Sequence, residues 1–164
     1  MSHAIDPSPP RLSEGVAVVA GAVGTLALAV SPAAFGLGAL GTVTVGAGLY
    51  RRSHAAVTLG ATGVFCGVLL AGLADAPPEL LLLSTAGTVV AWDVATFAID
   101  LGAELGRAAE TRRLELVHAG ASTGLALGAA VVGTLVYRLV GGGPALAPVV
   151  LLCGAVVLAI ALRP

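Results

Sequence analysis

Residues Leu80 to Ile99 read LLLLSTAGTVVAWDVATFAI, and Asp100 to Gly120 continue as DLGAELGRAAETRRLELVHAG. The first stretch carries a single charge, Asp93, in a run of about the 20 residues a helix needs to cross the hydrocarbon core of a bilayer. It shows no strict two-residue alternation, which argues against a strand of a membrane barrel. In lipid every backbone group must be paired within its own segment, so the run is read as a transmembrane helix. The second stretch is where the charges gather. On a helix turning 100° per residue, Asp93, Phe97, Asp100, Glu104 and Arg107 fall within about 80° of one another. The helix is therefore expected to continue past the membrane as an amphipathic extension. Glu110, Thr111, Arg112 and Arg113 turn the chain, and Thr111, Glu115, His118 and Ser122 then recur on one face of the returning helix.

The rest of the chain extends this reading. Of 164 residues, 57% are apolar and 10% charged, and mean hydropathy is +1.01. A soluble domain has about 25% charged residues, so a soluble globule, a disordered chain and a disulfide scaffold are all excluded. Six apolar runs approach spanning length, at about 13–30, 32–50, 54–73, 80–99, 114–140 and 145–162. Ser31-Pro32 separates the first two and suits an N-cap followed by a first-turn proline. Arg51-Arg52 ends the second, and Ser53 or His54 opens the third. Pro77-Pro78 and Gly141-Gly142-Gly143-Pro144 are turns. Residues 1–12 are read as a disordered tail and 13–164 as one helical domain. The first run follows Arg11 and resembles a signal peptide, but Pro32 stands badly for cleavage and a retained helix is expected. The first two runs are short and glycine-rich, and a shallow hairpin is the alternative for them.

All eight basic residues are arginine. With a cytoplasmic N-terminus, Arg11, Arg51, Arg52, Arg107, Arg112, Arg113 and Arg163 lie inside and Arg138 alone lies outside, which follows the positive-inside rule. The expected architecture is thus an all-α, polytopic bundle of about six transmembrane helices in the cell membrane, with both termini cytoplasmic and helix four extended into the cytoplasm. The net charge of −1 gives no basic surface for nucleic acid. Cys66 and Cys153 have no partners at metal-ligand spacing and are read as inert thiols.

The candidate polar cluster comprises Asp93, Asp100, Glu104, Arg107, Glu115 and His118. Ionisable groups inside a membrane are costly and by default point to function, although mutual ion pairing near the headgroups would also account for them. One histidine with carboxylates spread over two helices is no metal signature, and no metal or cofactor is expected. Gly120-Ala121-Ser122-Thr123-Gly124 matches G-x-S-x-G, but a nucleophile elbow needs a strand, a turn and a helix. Ser122 is expected instead to bond the carbonyl of His118. Gly63/Gly67, Gly102/Gly106 and Gly120/Gly124/Gly128 are spaced for close helix packing, within the chain or in a homo-oligomer. A faint echo between residues 66–71 and 153–158 is attributed to composition.

Ala91-Trp92-Asp93, Asp100-Leu101-Gly102, Leu105-Gly106-Arg107 and the block from Thr111 to Ala119 resemble the central part of a family of small haloarchaeal multi-pass membrane proteins. Ser31–Phe35 and Gly67–Gly72 are similar to its earlier blocks, so the resemblance covers most of the chain from about residue 13. It carries no activity, but its members tend to be encoded beside MoxR-type AAA ATPases. The resemblance therefore implies an accessory role beside such an ATPase. Three functions are weighed: a non-catalytic scaffold docking through Glu110, Arg112 and Arg113; a small channel or transporter using Asp93 and His118; and an intramembrane hydrolase at Ser122. The scaffold is the expectation adopted, with the lipid bilayer and other membrane proteins as its partners.

Overall fold

A computed structural model describes residues 9–105 and 111–139. They form five helices: α1 (Arg11–Leu26), α2 (Pro32–Arg51), α3 (His54–Leu73), α4 (Pro78–Leu105) and α5 (Arg112–Leu139). The sixth expected run lies outside the described residues, as do Arg107, Glu110, Cys153 and Arg163. Helices α2 to α5 are each long and apolar enough to cross a membrane. Helix α4, at 28 residues, is about 42 Å long at 1.5 Å per residue, so it outreaches a hydrocarbon core of about 30 Å.

The helix boundaries follow local chemistry. Ser31 caps α2, its side chain accepting from the Ala34 N–H, with Pro32 in the first turn. Ser53 caps α3 in the same way through the Ala56 N–H. Between them Arg52 adopts the left-handed conformation (φ 54°), so its N–H and that of Ser53 turn back onto the last carbonyls of α2. Asp75, also left-handed (φ 55°), shapes the turn before Pro77-Pro78.

The first run departs from expectation. Helix α1 covers 16 residues and stops at Leu26, so neither the start at residue 13 nor the end at residue 30 holds. Leu28, Ala29 and Ser31 make i to i−3 bonds instead. This tightened turn delivers Leu28, fully buried, into the second of two apolar clusters with Ala34, Val64, Val68 and Ala71. Continuing the helix would rotate Leu28 away from that site. At 16 residues α1 is about 24 Å long, shorter than the core it would cross.

The helices run alternately up and down, and they touch mainly through glycine. A Cβ added to Gly41 of α2 would sit 2.5 Å from the Gly60 carbonyl of α3, and one added to Gly60 would sit 2.6 Å from the Gly41 carbonyl. Gly48 against Val57 and Gly67 against Ala34 continue this seam. Helices α1 and α4 meet through Gly24 and Gly87, whose Cβ would reach the Ala20 carbonyl at 2.7 Å. The larger cluster, Val45, Leu49, Val57, Val94, Ala95 and Ala98 among others, fills the space between these pairs. Large apolar side chains point outward instead: Leu40, Leu59, Leu125 and Leu135 are all exposed. Helix α5 is the barest, burying only Glu115 and Ala119. Around Gly120, Gly124 and Gly128 a Cβ would meet nothing within 4 Å among the described residues, so none of those residues packs on that stripe.

The seam makes opposite predictions for glycines on one helix. Replacing Gly41 or Gly60 by leucine should cost about 1–3 kcal/mol or more through overpacking. Gly36→Ala, in open space, should be neutral or stabilising by up to about 1 kcal/mol through helix propensity. Thermal unfolding of the detergent-solubilised chain measures both, and equal effects at the two kinds of site would contradict the seam.

Candidate functional site

Alternation of the helices brings the start of α1, the end of α2, the start of α3, the end of α4 and the start of α5 to one end of the bundle. Arg11, Arg51, Arg52, Arg112 and Arg113 are all exposed there. Arg138 stands at the opposite end, where its guanidinium donates to Glu79 at 2.8 Å. The polar residues singled out from the sequence fall into three separate arrangements near the arginine-rich end.

The deepest is Asp93 with His118. Asp93 lies 12 residues before the end of α4, about 18 Å along its axis. Its Oδ2 is 2.9 Å from His118 Nε2 of α5, and the two side chains are 36% and 33% exposed respectively. The two atoms touch without the alignment of a hydrogen bond, and the buried Nε2 has no partner of hydrogen-bonding geometry among the described residues. The imidazole is held from its face: the Phe97 ring, one turn after Asp93, stacks on it with centroids 3.9 Å apart and planes 11° from parallel. The expected meeting of the α4 and α5 stripes is made by these three residues.

Glu115 turns elsewhere. It is only 4% exposed, and its Oε2 accepts from both the backbone N–H and the hydroxyl of Ser13, at 2.9 and 3.0 Å. The hydroxyl of Thr111 donates to Oε1 at 2.9 Å, while the Glu115 N–H donates to the Thr111 carbonyl. Helix α1 begins after Pro10, which offers no side-chain cap. The first N–H groups of a helix have no partner within it, so a carboxylate from α5 satisfies the third residue of α1. This placement also opposes negative charge to the positive end of the α1 dipole.

Asp100 pairs with α3 rather than α5: its Oδ1 is 2.9 Å from His54 Nε2, both side chains being well exposed. Glu104 is exposed, while Arg107 and Glu110 lie outside the described residues. Among the described candidates, Asp93 and His118 meet one another while Asp100 turns to α3, because the α4 stripe is wide enough to address α3 at Asp100 and α5 at Asp93. Asp100, Glu115 and His118 each face a different partner. Sequence reasoning missed Ser13 and His54. The available signal was their position: each stands in the first turn of a helix that must begin at the arginine-rich end.

Ser122 lies inside α5, so the G-x-S-x-G pentapeptide has no strand and no elbow. The carbonyl bond expected for it is not made, although Thr62, Thr85, Thr88 and Thr134 make that bond elsewhere. Cys66 is a free thiol. Trp92 Nε1 donates to Thr58 at 3.2 Å, tying α4 to α3 one position before Asp93.

Compared with known proteins, residues 7–159 match one family profile, described as a family of unknown function (DUF7519). No curated protein and no solved structure matches the chain.

Removing the Glu115 carboxylate tests the tie between α1 and α5. Glu115→Ala should cost about 1–3 kcal/mol, because three buried donors lose their acceptor. Glu115→Gln, which keeps one carbonyl oxygen, should cost less. Thermal unfolding gives the order, and an alanine variant as stable as the parent would show that water replaces the carboxylate.

Proposed function

The chain belongs to that family, whose function is unknown, and from that premise we propose that it is a multi-pass membrane protein acting as a non-catalytic scaffold or accessory subunit. In this reading six helices cross the cell membrane, the sixth being the apolar run at 145–162. Both termini are cytoplasmic, and the arginine-rich end faces the cytoplasm, as the positive-inside rule requires. The length of α4 supports an extension beyond the membrane on that side.

The observation that carries the reading is the difference between the two kinds of charge at that end. Glu115 is spent on α1 and Asp100 on His54, whereas Arg51, Arg52, Arg112 and Arg113 are exposed. With Glu104 also exposed, what the described residues present outward at that end is on balance cationic. Such a surface suits an acidic face on a partner, since complementary charge speeds encounter and sets orientation. The turn with Glu110, Arg112 and Arg113 would be the docking element. The resemblance to haloarchaeal proteins encoded beside MoxR-type AAA ATPases makes such an ATPase the first partner to try.

The chain, affinity-tagged and extracted in mild detergent, should retain that ATPase, and reversing Arg112 and Arg113 to glutamate should weaken retention by about tenfold or more. Elution of the parent chain without the ATPase, or equal retention by the reversed variant, would remove the proposal.

The Asp93 and His118 pair favours a second reading, a small channel or transporter. A carboxylate touching an imidazole can pass or hold a proton, and both side chains are partly open to the surroundings. Proton or ion flux into liposomes carrying the full chain should then disappear with Asp93→Asn. No flux with the parent chain rejects this reading.

A further inference from the structure

Helices α1, α4 and α5 enclose an open groove of about 550 Å³ that runs from Arg11 and Gly15 past Val19 to Val23, with Gly87 and Leu127 on the facing helices. A volume of that order suits one ligand, such sites typically spanning roughly 300–1,000 Å³. The groove exists because α1 and α5 are tied at one point. The Ser13 and Glu115 bonds close its arginine-rich end, and past Ala119 α5 buries no further side chain. From Arg11 to Val23 the groove extends about 18 Å along α1. Among the described residues its lining has one charge, Arg11, and that charge stands at one end; Thr123 is the only other polar side chain there.

We propose that this groove holds a hydrocarbon chain of an anionic membrane lipid, with the lipid phosphate at the Arg11 guanidinium. Its charge pattern matches that occupant: one cation at the end, then apolar surface for the length of an acyl chain. Arg11 is exposed, and it stands at the end the positive-inside rule assigns to the headgroup level. Among the described residues, two acids on α1 and α5 are already engaged. Glu115 is buried under three donors, and Glu14 has an interaction of its own. Gly15 leaves the groove open, since a Cβ there would meet nothing within 4 Å. The inference rests on the membrane placement and not on any docking partner, so failure of the scaffold reading leaves it intact.

Native mass spectrometry of the full chain, offered phosphatidylglycerol and phosphatidylcholine with identical acyl chains, tests it. Phosphatidylglycerol should be retained about fivefold more tightly, the effect of about 1 kcal/mol per basic residue. Arg11→Gln should abolish that preference and leave the residual retention unchanged. Gly15→Phe should lower retention of both lipids without lowering the melting temperature. Photo-cross-linking by a phosphatidylglycerol carrying a diazirine in its acyl chain should label peptides of α1 and α5 that line the groove, and this arm decides the matter if Gly15→Phe proves unstable. Equal retention of the two lipids by the parent chain overturns the proposal, as does unchanged retention in a stable Gly15→Phe. Complete displacement of lipid by inorganic phosphate would show that the headgroup alone is bound. A cross-link from Val19→Cys to residues 145–162 would show that the chain itself fills the groove.

Discussion

Helices surrounded by hydrocarbon gain little from hiding apolar side chains, because lipid tails are as apolar as leucine. What holds such helices together is close approach of their backbones, and this bundle depends on it. Gly41 and Gly60 place each helix's carbonyl where the other would carry a Cβ, a separation that any larger residue forbids. Gly24 and Gly87 do the same for α1 and α4. The abundance of glycine and alanine is therefore a packing requirement. Many of the leucines, such as Leu40, Leu59 and Leu125, are left to face outward, where they meet a solvent of their own kind.

Packing of this sort is non-polar and nearly featureless, so polar contacts choose which helix goes where. Glu115 joins the starts of α1 and α5, Asp93 and His118 join the middle of α4 to α5, and Trp92 and Thr58 join α4 to α3. Thr25 and Thr42 link α1 to α2 through hydroxyls 2.7 Å apart. The hydrogen bonds among these contacts satisfy groups that would be costly unpaired in a low-dielectric setting. The ionisable residues thus serve as addresses within the fold.

The helical class, the turns at Ser31-Pro32, Ser53 and Pro77-Pro78, and the return of α5 onto α4 were legible because each depends on local chemistry or on a face that spans several turns. That the polar stripes of α4 and α5 face each other was legible for the same reason, but the contact of Asp93 with His118 was not. Glu115 was not, because its partner Ser13 is 102 residues away and helical periodicity says which face a residue occupies, not which neighbour occupies that side. The end of α1 was missed because hydropathy continues unchanged through Ala27–Val30, while the helix stops so that Leu28 can reach a cluster built by α2 and α3. Gly120, Gly124 and Gly128, on which no described residue packs, show the same limit: spacing identifies a surface capable of close packing but names no partner for it.

The left-handed turn at Arg52 has a consequence for how such a chain enters a bilayer. Helices α2 and α3 are separated by two residues, and they are matched glycine to carbonyl along much of their length. A connection this short makes closing them together entropically cheap, so they form an antiparallel hairpin that behaves as one object. The two arginines sit at its tip, where moving them through hydrocarbon is costly. Neither helix can therefore reverse its direction without the other.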